Sequence, residues 1–132
     1  MHVCYSTHMS DEKITIKDLQ EKVVQFRAAR KWNRNPKDMA ITISVEANEL
    51  LELFQFNKWQ ETDVDDEIKK ELADVLIGCL EFASERNIDI SEAVHEKLQH
   101  LEKKFPLETF KDGGASEEYH RIRKHYRQSK PE

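Results

Sequence analysis

Apolar residues recur along this chain at spacings of three and four, the pattern of helices that bury one face. From Asp11 to Lys31, the residues Leu19, Val23, Phe26 and Arg30 share a face, with Ile16 and Val24 beside it. Thr15 is the expected N-cap there, and Asp18 three positions on forms a weak capping box. Trp32 to Asn35 interrupts the pattern. Asn35 before Pro36 then suits a new start, since Asn caps well and Pro fits the first helical position. A second helix is predicted from Pro36 to about Lys58, with the stripe Ala40, Ile43, Ala47, Leu50, Leu51 and Phe54. After a polar turn from Gln60, a third helix capped by Asp63 or Asp65 runs to about Arg86, with the stripe Leu72, Val75, Leu76, Cys79 and Leu80. A fourth spans Ser91 to Lys104 through Ala93, Val94, Leu98 and Leu101, and Phe105-Pro106 ends it.

These elements predict an all-α, four-helix bundle-like domain over residues 11–106. Met1 to Ser10 lacks periodicity and reads as a disordered leader or a cloning remnant. Residues 107–132 form a linker with Gly113-Gly114 and then a basic tail, expected as a short helix or a mobile segment. A length of 132 residues fits one domain with a core. With only three Gly and three Pro, long β-hairpin arrays are not expected, and helices are. The net charge of -5, with signs interspersed, argues against nucleic-acid binding, which needs a basic face. Cys4 and Cys79 lie far apart and form no CxxC framework, so a reducing, cytoplasmic setting is expected. No apolar run is long enough to span a bilayer, so no membrane partner is expected.

Two acidic motifs organise the chain. Glu46-Ala47-Asn48-Glu49 and Glu71-Leu72-Ala73-Asp74 each set two carboxylates three residues apart beside an apolar stripe. Positions i and i+3 share a helix face. The second and third helices are joined by a short loop and should be antiparallel neighbours. Counted from near Thr62, Glu49 lies about 13 residues before the loop, and Glu71 and Asp74 lie about 9 and 12 after it. At about 1.5 Å per residue the two pairs reach similar heights. Four carboxylates at one level favour a hard divalent cation such as Mg²⁺, which binds oxygen ligands and substrate phosphates together. Di-iron bundle sites need Glu-x-x-His on two helices, and neither motif here continues to a histidine. A single ExxE on a charged helix is ordinarily a solvated face; two in apolar stripes at matching heights weigh against that.

At these residues the sequence resembles the MazG-like nucleotide pyrophosphohydrolases of the all-α NTP pyrophosphatase superfamily, and most of all their short, single-domain dCTP pyrophosphatase-like branch. The resemblance rests on Asn35 to Asp38, Glu46 to Phe56, Lys70 to Leu76, Lys97 and Lys104-Phe105-Pro106. It implies Mg²⁺-dependent hydrolysis, with Mn²⁺ as a substitute, of a nucleoside triphosphate to monophosphate and pyrophosphate, a nucleotide-pool sanitation activity. Glu46, Glu49, Glu71 and Asp74 correspond to the metal ligands, with Glu49 as the proton acceptor, and Lys97 to a residue holding phosphates. It further implies a homodimer or homotetramer. The chain departs from many relatives at Val45, where a second glutamate is usual, at Phe56, where the branch has Trp, and at Arg34, where His is common.

Around this core, Trp32 and Phe56 are candidates to stack on a base, and Arg30 and Arg34 to line the substrate site. Packing is the competing reading for the aromatic pair and solvation for the cations. Other functions remain open from sequence: a helical interaction module without catalysis, or a same-superfamily enzyme acting on dUTP or phosphoribosyl-ATP.

Overall fold

The computed structural model of the chain describes residues 13–55, 60, 64–110 and 115–129. Every regular element among them is helical, as expected: α1 (Ile16–Ala29), α2 (Pro36–Glu52), α3 (Asp65–Glu85), α4 (Ile90–Lys104), a 3₁₀ turn (Leu107–Phe110) and α5 (Ala115–Gln128). None of these helices is long and apolar enough to cross a membrane. The chain divides into two compact units, Met1–Ser91 and Glu92–Glu132.

In the first unit, α3 is the hub, and both α2 and α1 pack on it. The caps form as the sequence dictates. Thr15 Oγ1 accepts from the Asp18 backbone N–H at 3.2 Å, and the Thr15 N–H donates to Asp18 Oδ2 at 2.7 Å, completing the capping box. Asn35 Oδ1 accepts from the Asp38 N–H at 2.9 Å, with Pro36 at the first helical position. The third helix differs from expectation. Its N-cap is Val64, which makes no side-chain cap bond, while Asp65, Asp66 and Glu67 place negative charge at the positive end of its dipole. Asp63, the other expected cap, lies outside the described residues. The second helix stops at Glu52 instead of Lys58. At Phe54 the ladder tightens, its N–H donating to Leu51 O at 2.9 Å, and such i→i−3 bonds close a helix end. Residues 56–58 of that expected helix lie outside the described set.

α1 and α3 end alike. The residue after each C-cap sits in the left-handed region, Lys31 at φ 55° and Asn87 at φ 53°. The Lys31 and Trp32 N–H groups donate to Ala28 O and Arg27 O, and those of Asn87 and Ile88 to Ser84 O and Ala83 O. Both are Schellman ends, which satisfy the last carbonyls. Asn tolerates this conformation well; Lys adopts it at a cost.

The buried apolar residues among those described are few: Met39, Val64, Leu80 and Ala83, all in the first unit. By contrast Ile41 and Val45 on α2, and Leu72 and Leu76 on α3, are about half exposed. In the second unit, Phe105 stacks on Tyr119 at 5.2 Å between centroids, and Lys104 Nζ lies 3.6 Å from the centre of the Tyr126 ring. The basic tail is thus a helix docked by its aromatic residues, with Arg121 paired to Glu118 on its surface.

Candidate metal and nucleotide site

Antiparallel packing of α2 on α3 brings the two acidic motifs together. Glu46, Glu49 and Glu71 each offer a carboxylate oxygen within 4.8 Å of the others. Mg²⁺ binds oxygen at about 2.0–2.1 Å, so two ligands opposite each other across it stand about 4.2 Å apart. Adjacent ligands in the same octahedral shell stand only about 3 Å apart, so the three oxygens would draw together to share such an ion. Asp74 is outside this trio, but its charge reaches both Glu46 and Glu71.

The electrostatics are those of crowded like charges. Glu46 is held above the ordinary glutamate value chiefly by desolvation, then by the charges of Glu49, Asp74 and Glu71; Arg34 opposes the shift. Glu71 is raised by the same order of causes: desolvation, the charges of Glu49 and Asp74, and a carboxyl–carboxyl hydrogen bond with Glu49. A cation among these groups would reverse that logic by favouring the charged forms.

Beside the cluster, α1, α2, α3 and the α1–α2 connection enclose a cavity of about 510 Å³. That volume lies in the range of small-molecule sites. Glu46 and Asp74 line it next to the cluster, Lys22, Arg34 and Thr42 add polar groups, and Val23, Phe26, Trp32 and Ile77 add apolar walls. The wall is built by the end of α1. Its Schellman turn brings Trp32 back onto Phe26, the rings meeting edge-on at 5.8 Å. Arg27 locks this turn, its guanidinium donating to Trp32 O at 3.3 Å. Arg34 donates to Thr42 Oγ1 at 3.1 Å, which holds its charge near Glu46. On the other side of the cluster, Glu52 shares an open cleft with Glu49 and Glu71 and accepts from Asn48 Nδ2 at 3.1 Å.

Of the residues singled out from sequence, Glu46, Glu49 and Glu71 converge, and Asp74, Trp32 and Arg34 line the adjoining cavity. Arg30 lies instead over the Phe26 ring, its Cζ 3.5 Å from the centroid, and is not among the cavity-lining residues. Lys97 is on α4, in the second unit. Phe56 lies outside the described residues. Sequence reading passed over Thr42, Gly78 and Glu81. Each stands four or seven positions from a motif carboxylate, and so on the same helix face, which is the signal that would have found them.

The helical unit thus gathers acidic residues of two antiparallel helices, which could hold a cation, beside an aromatic-walled cavity. Comparison with known proteins gives the family. The MazG-like family model matches residues 41–121, and the chain belongs to the MazG-like family. It is 27% identical over 103 residues to dCTP pyrophosphatase 1 of Rattus norvegicus, and 26% identical over 102 residues to the Mus musculus and Bos taurus proteins of the same name. The matches to the rat and mouse proteins cover 70% of this chain and 60% of each relative. The chain thus spans about three fifths of the length of the relatives it matches.

Proposed function

We propose that this protein is a Mg²⁺-dependent nucleoside triphosphate pyrophosphohydrolase that converts a dCTP-like (d)NTP to (d)NMP and pyrophosphate, a reaction that serves nucleotide-pool sanitation in the cytoplasm. The observation that carries the reading is the convergence of Glu46, Glu49 and Glu71 beside a cavity with apolar, aromatic walls. The likeness to proteins named dCTP pyrophosphatase 1 supports the substrate class.

Glu46, Glu49, Glu71 and Asp74 would hold the ion, with Mn²⁺ as a substitute. When bound, it would neutralise phosphate charge and make water more acidic. Glu49 is the most exposed of the three converging carboxylates, and we assign it the proton of the attacking water. The water oxygen bonds to the α-phosphorus, and the bond from that phosphorus to the α–β bridging oxygen breaks, releasing pyrophosphate. We assign Arg34, braced on Thr42 beside Glu46, to phosphate oxygens. Lys97 keeps the phosphate-holding role that the family resemblance implies. Phe26 and Trp32, each about half exposed, offer faces for a base.

We also propose that the protein works as a homodimer or homotetramer. The half-exposed apolar positions on α2 and α3 support this, since such faces on one chain mark association surfaces.

The test is a panel of ribo- and deoxyribonucleoside triphosphates, with dUTP and phosphoribosyl-ATP included, assayed for pyrophosphate with and without Mg²⁺. Release from dCTP, lost in Glu49→Gln and Asp74→Asn with helical content intact, supports the reading. No release from any member overturns it.

A further inference from the structure

The cavity has a second polar end that the hydrolysis does not use. Glu81 lines it from α3, seven residues beyond Asp74. Seven residues are two turns, so the two carboxylates share a helix face about 10.5 Å apart along the axis. Between them stand Ile77 and Gly78, and opposite are Phe26 and Trp32. From the acidic cluster, the cavity thus runs past apolar walls to one remote carboxylate. This is the order of chemistry along a nucleotide, from phosphates across the sugar to the edge of the base.

Glu81 is also fixed in place. Arg27 Nε lies 3.7 Å from Glu81 Oε1, and the two side chains are only 11% and 15% exposed. The same guanidinium donates to Trp32 O. One residue therefore positions both the aromatic wall and the carboxylate. An ionised carboxylate only accepts, and its two oxygens have lone pairs beyond those that one guanidinium nitrogen engages.

We propose that Glu81 reads the nucleobase by accepting a hydrogen bond from its exocyclic amino group, so that the site selects a cytosine-type base over a uracil-type one. The inference rests on the pyrophosphohydrolase reading above and adds to it the residue that sets base preference. Cytosine presents an amino donor at the position where uracil and thymine present a carbonyl. Carboxylate acceptors accordingly pair with the cytosine amino group elsewhere. Against Glu81 a uracil carbonyl would set acceptor on acceptor, leaving buried polar groups unpaired, which is the strongest basis for discrimination.

The experiment measures kcat/KM of the full chain with Mg²⁺ for dCTP, dUTP and the 4-deamino analogue of dCTP, by pyrophosphate release. The wild type should favour dCTP over each by about 10- to 100-fold, the worth of one hydrogen bond to a charged group. Glu81→Gln should shrink the dCTP-to-dUTP ratio by about tenfold or more. The ratio is internal to one preparation, so partial misfolding of the variant does not distort it, and the analogue comparison needs no variant at all. Equal use of dCTP and its deamino analogue by the wild type overturns the inference, as does an unchanged ratio in Glu81→Gln; in both cases the enzyme is active and the underlying reading stands. Absence of turnover with every nucleotide overturns that reading and this inference together.

Discussion

Gly78 packs closely against Ile43, between the two helices that carry the carboxylates. A Cβ there would sit 3.1 Å from Ile43 Cγ1, tighter than an ordinary contact by several tenths of an ångström. Two effects oppose each other in Gly78→Ala. Replacing glycine in a helix interior gains about 1 kcal/mol of helix propensity. Forcing a methyl into a packed contact costs about 1–3 kcal/mol. The net is a change between zero and a loss of about 2 kcal/mol, never the full propensity gain. Gly78→Val adds two further methyl groups and should lose about 2–3 kcal/mol. The place of the wedge matters more than its size. Ile43 is one turn from Glu46 and Gly78 one turn from Asp74, so a splayed contact separates the ligand pairs. Urea unfolding gives the stability change, and the rise in melting temperature on adding Mg²⁺ reports metal binding by the native state. We expect Gly78→Val to lose most of that rise and Ile43→Ala to restore part of it in the double variant. Gly78→Ala gaining the full 1 kcal/mol would refute the reasoning, as would additivity of Gly78→Val and Ile43→Ala.

Other expectations follow from single residues. Lys31 holds φ 55° at the end of α1. The left-handed conformation costs a non-glycine residue roughly 1–2 kcal/mol, while glycine carries an entropic cost of about 0.5–1 kcal/mol, so Lys31→Gly should stabilise by about 0.5–1 kcal/mol in a denaturant titration. Glu46 is held above its ordinary value of 4.5. Such a group supports the fold fully below its unfolded pKa and loses that support as pH rises through the folded one. Without metal, Glu46→Gln should therefore melt higher than wild type at neutral pH and show no advantage below about pH 4.5; with Mg²⁺ at neutral pH the order should reverse. Leu72 and Leu76 are 56% and 50% exposed. Leu72→Glu with Leu76→Glu should shift the sedimentation coefficient to that of one chain, and a wild type that already sediments as one chain would contradict the proposed assembly.

Much of the candidate site's layout is legible in the sequence because its logic is local. The spacing of Glu46 with Glu49 and of Glu71 with Asp74 fixes a helix face, and counting from the loop fixes a height. Both arguments survive errors of a residue or two in helix ends, and α2 in fact closes at Glu52, short of Lys58. The caps at Thr15 and Asn35 were legible for the same reason, since each is settled within four residues. What escaped depends on tertiary approach. Lys31 gives no sign of a left-handed turn, because that conformation is normally marked by Gly or Asn. The turn is imposed by the packing of Trp32 on Phe26 and the hold of Arg27 on Trp32 O. Glu81 reads as a solvated charge on an acidic helix until α1 places Arg27 against it. Arg30 shares the face of Phe26 in the helical pattern, yet its long side chain folds back over that ring. The exposure of Leu72 and Leu76 belongs to surfaces that one chain does not cover, so the stripe predicts burial without saying by what.

On the proposed mechanism the gathered carboxylates direct water at the α-phosphorus of a nucleoside triphosphate. Hydrolysis of dCTP in ¹⁸O-labelled water, with mass spectrometry of the products, tests it most directly. Attack at the α-phosphorus leaves one labelled oxygen in dCMP and none in pyrophosphate, with no reaction when Mg²⁺ is withheld. Label in the pyrophosphate, release of inorganic phosphate in its place, or equal rates without the metal would contradict it.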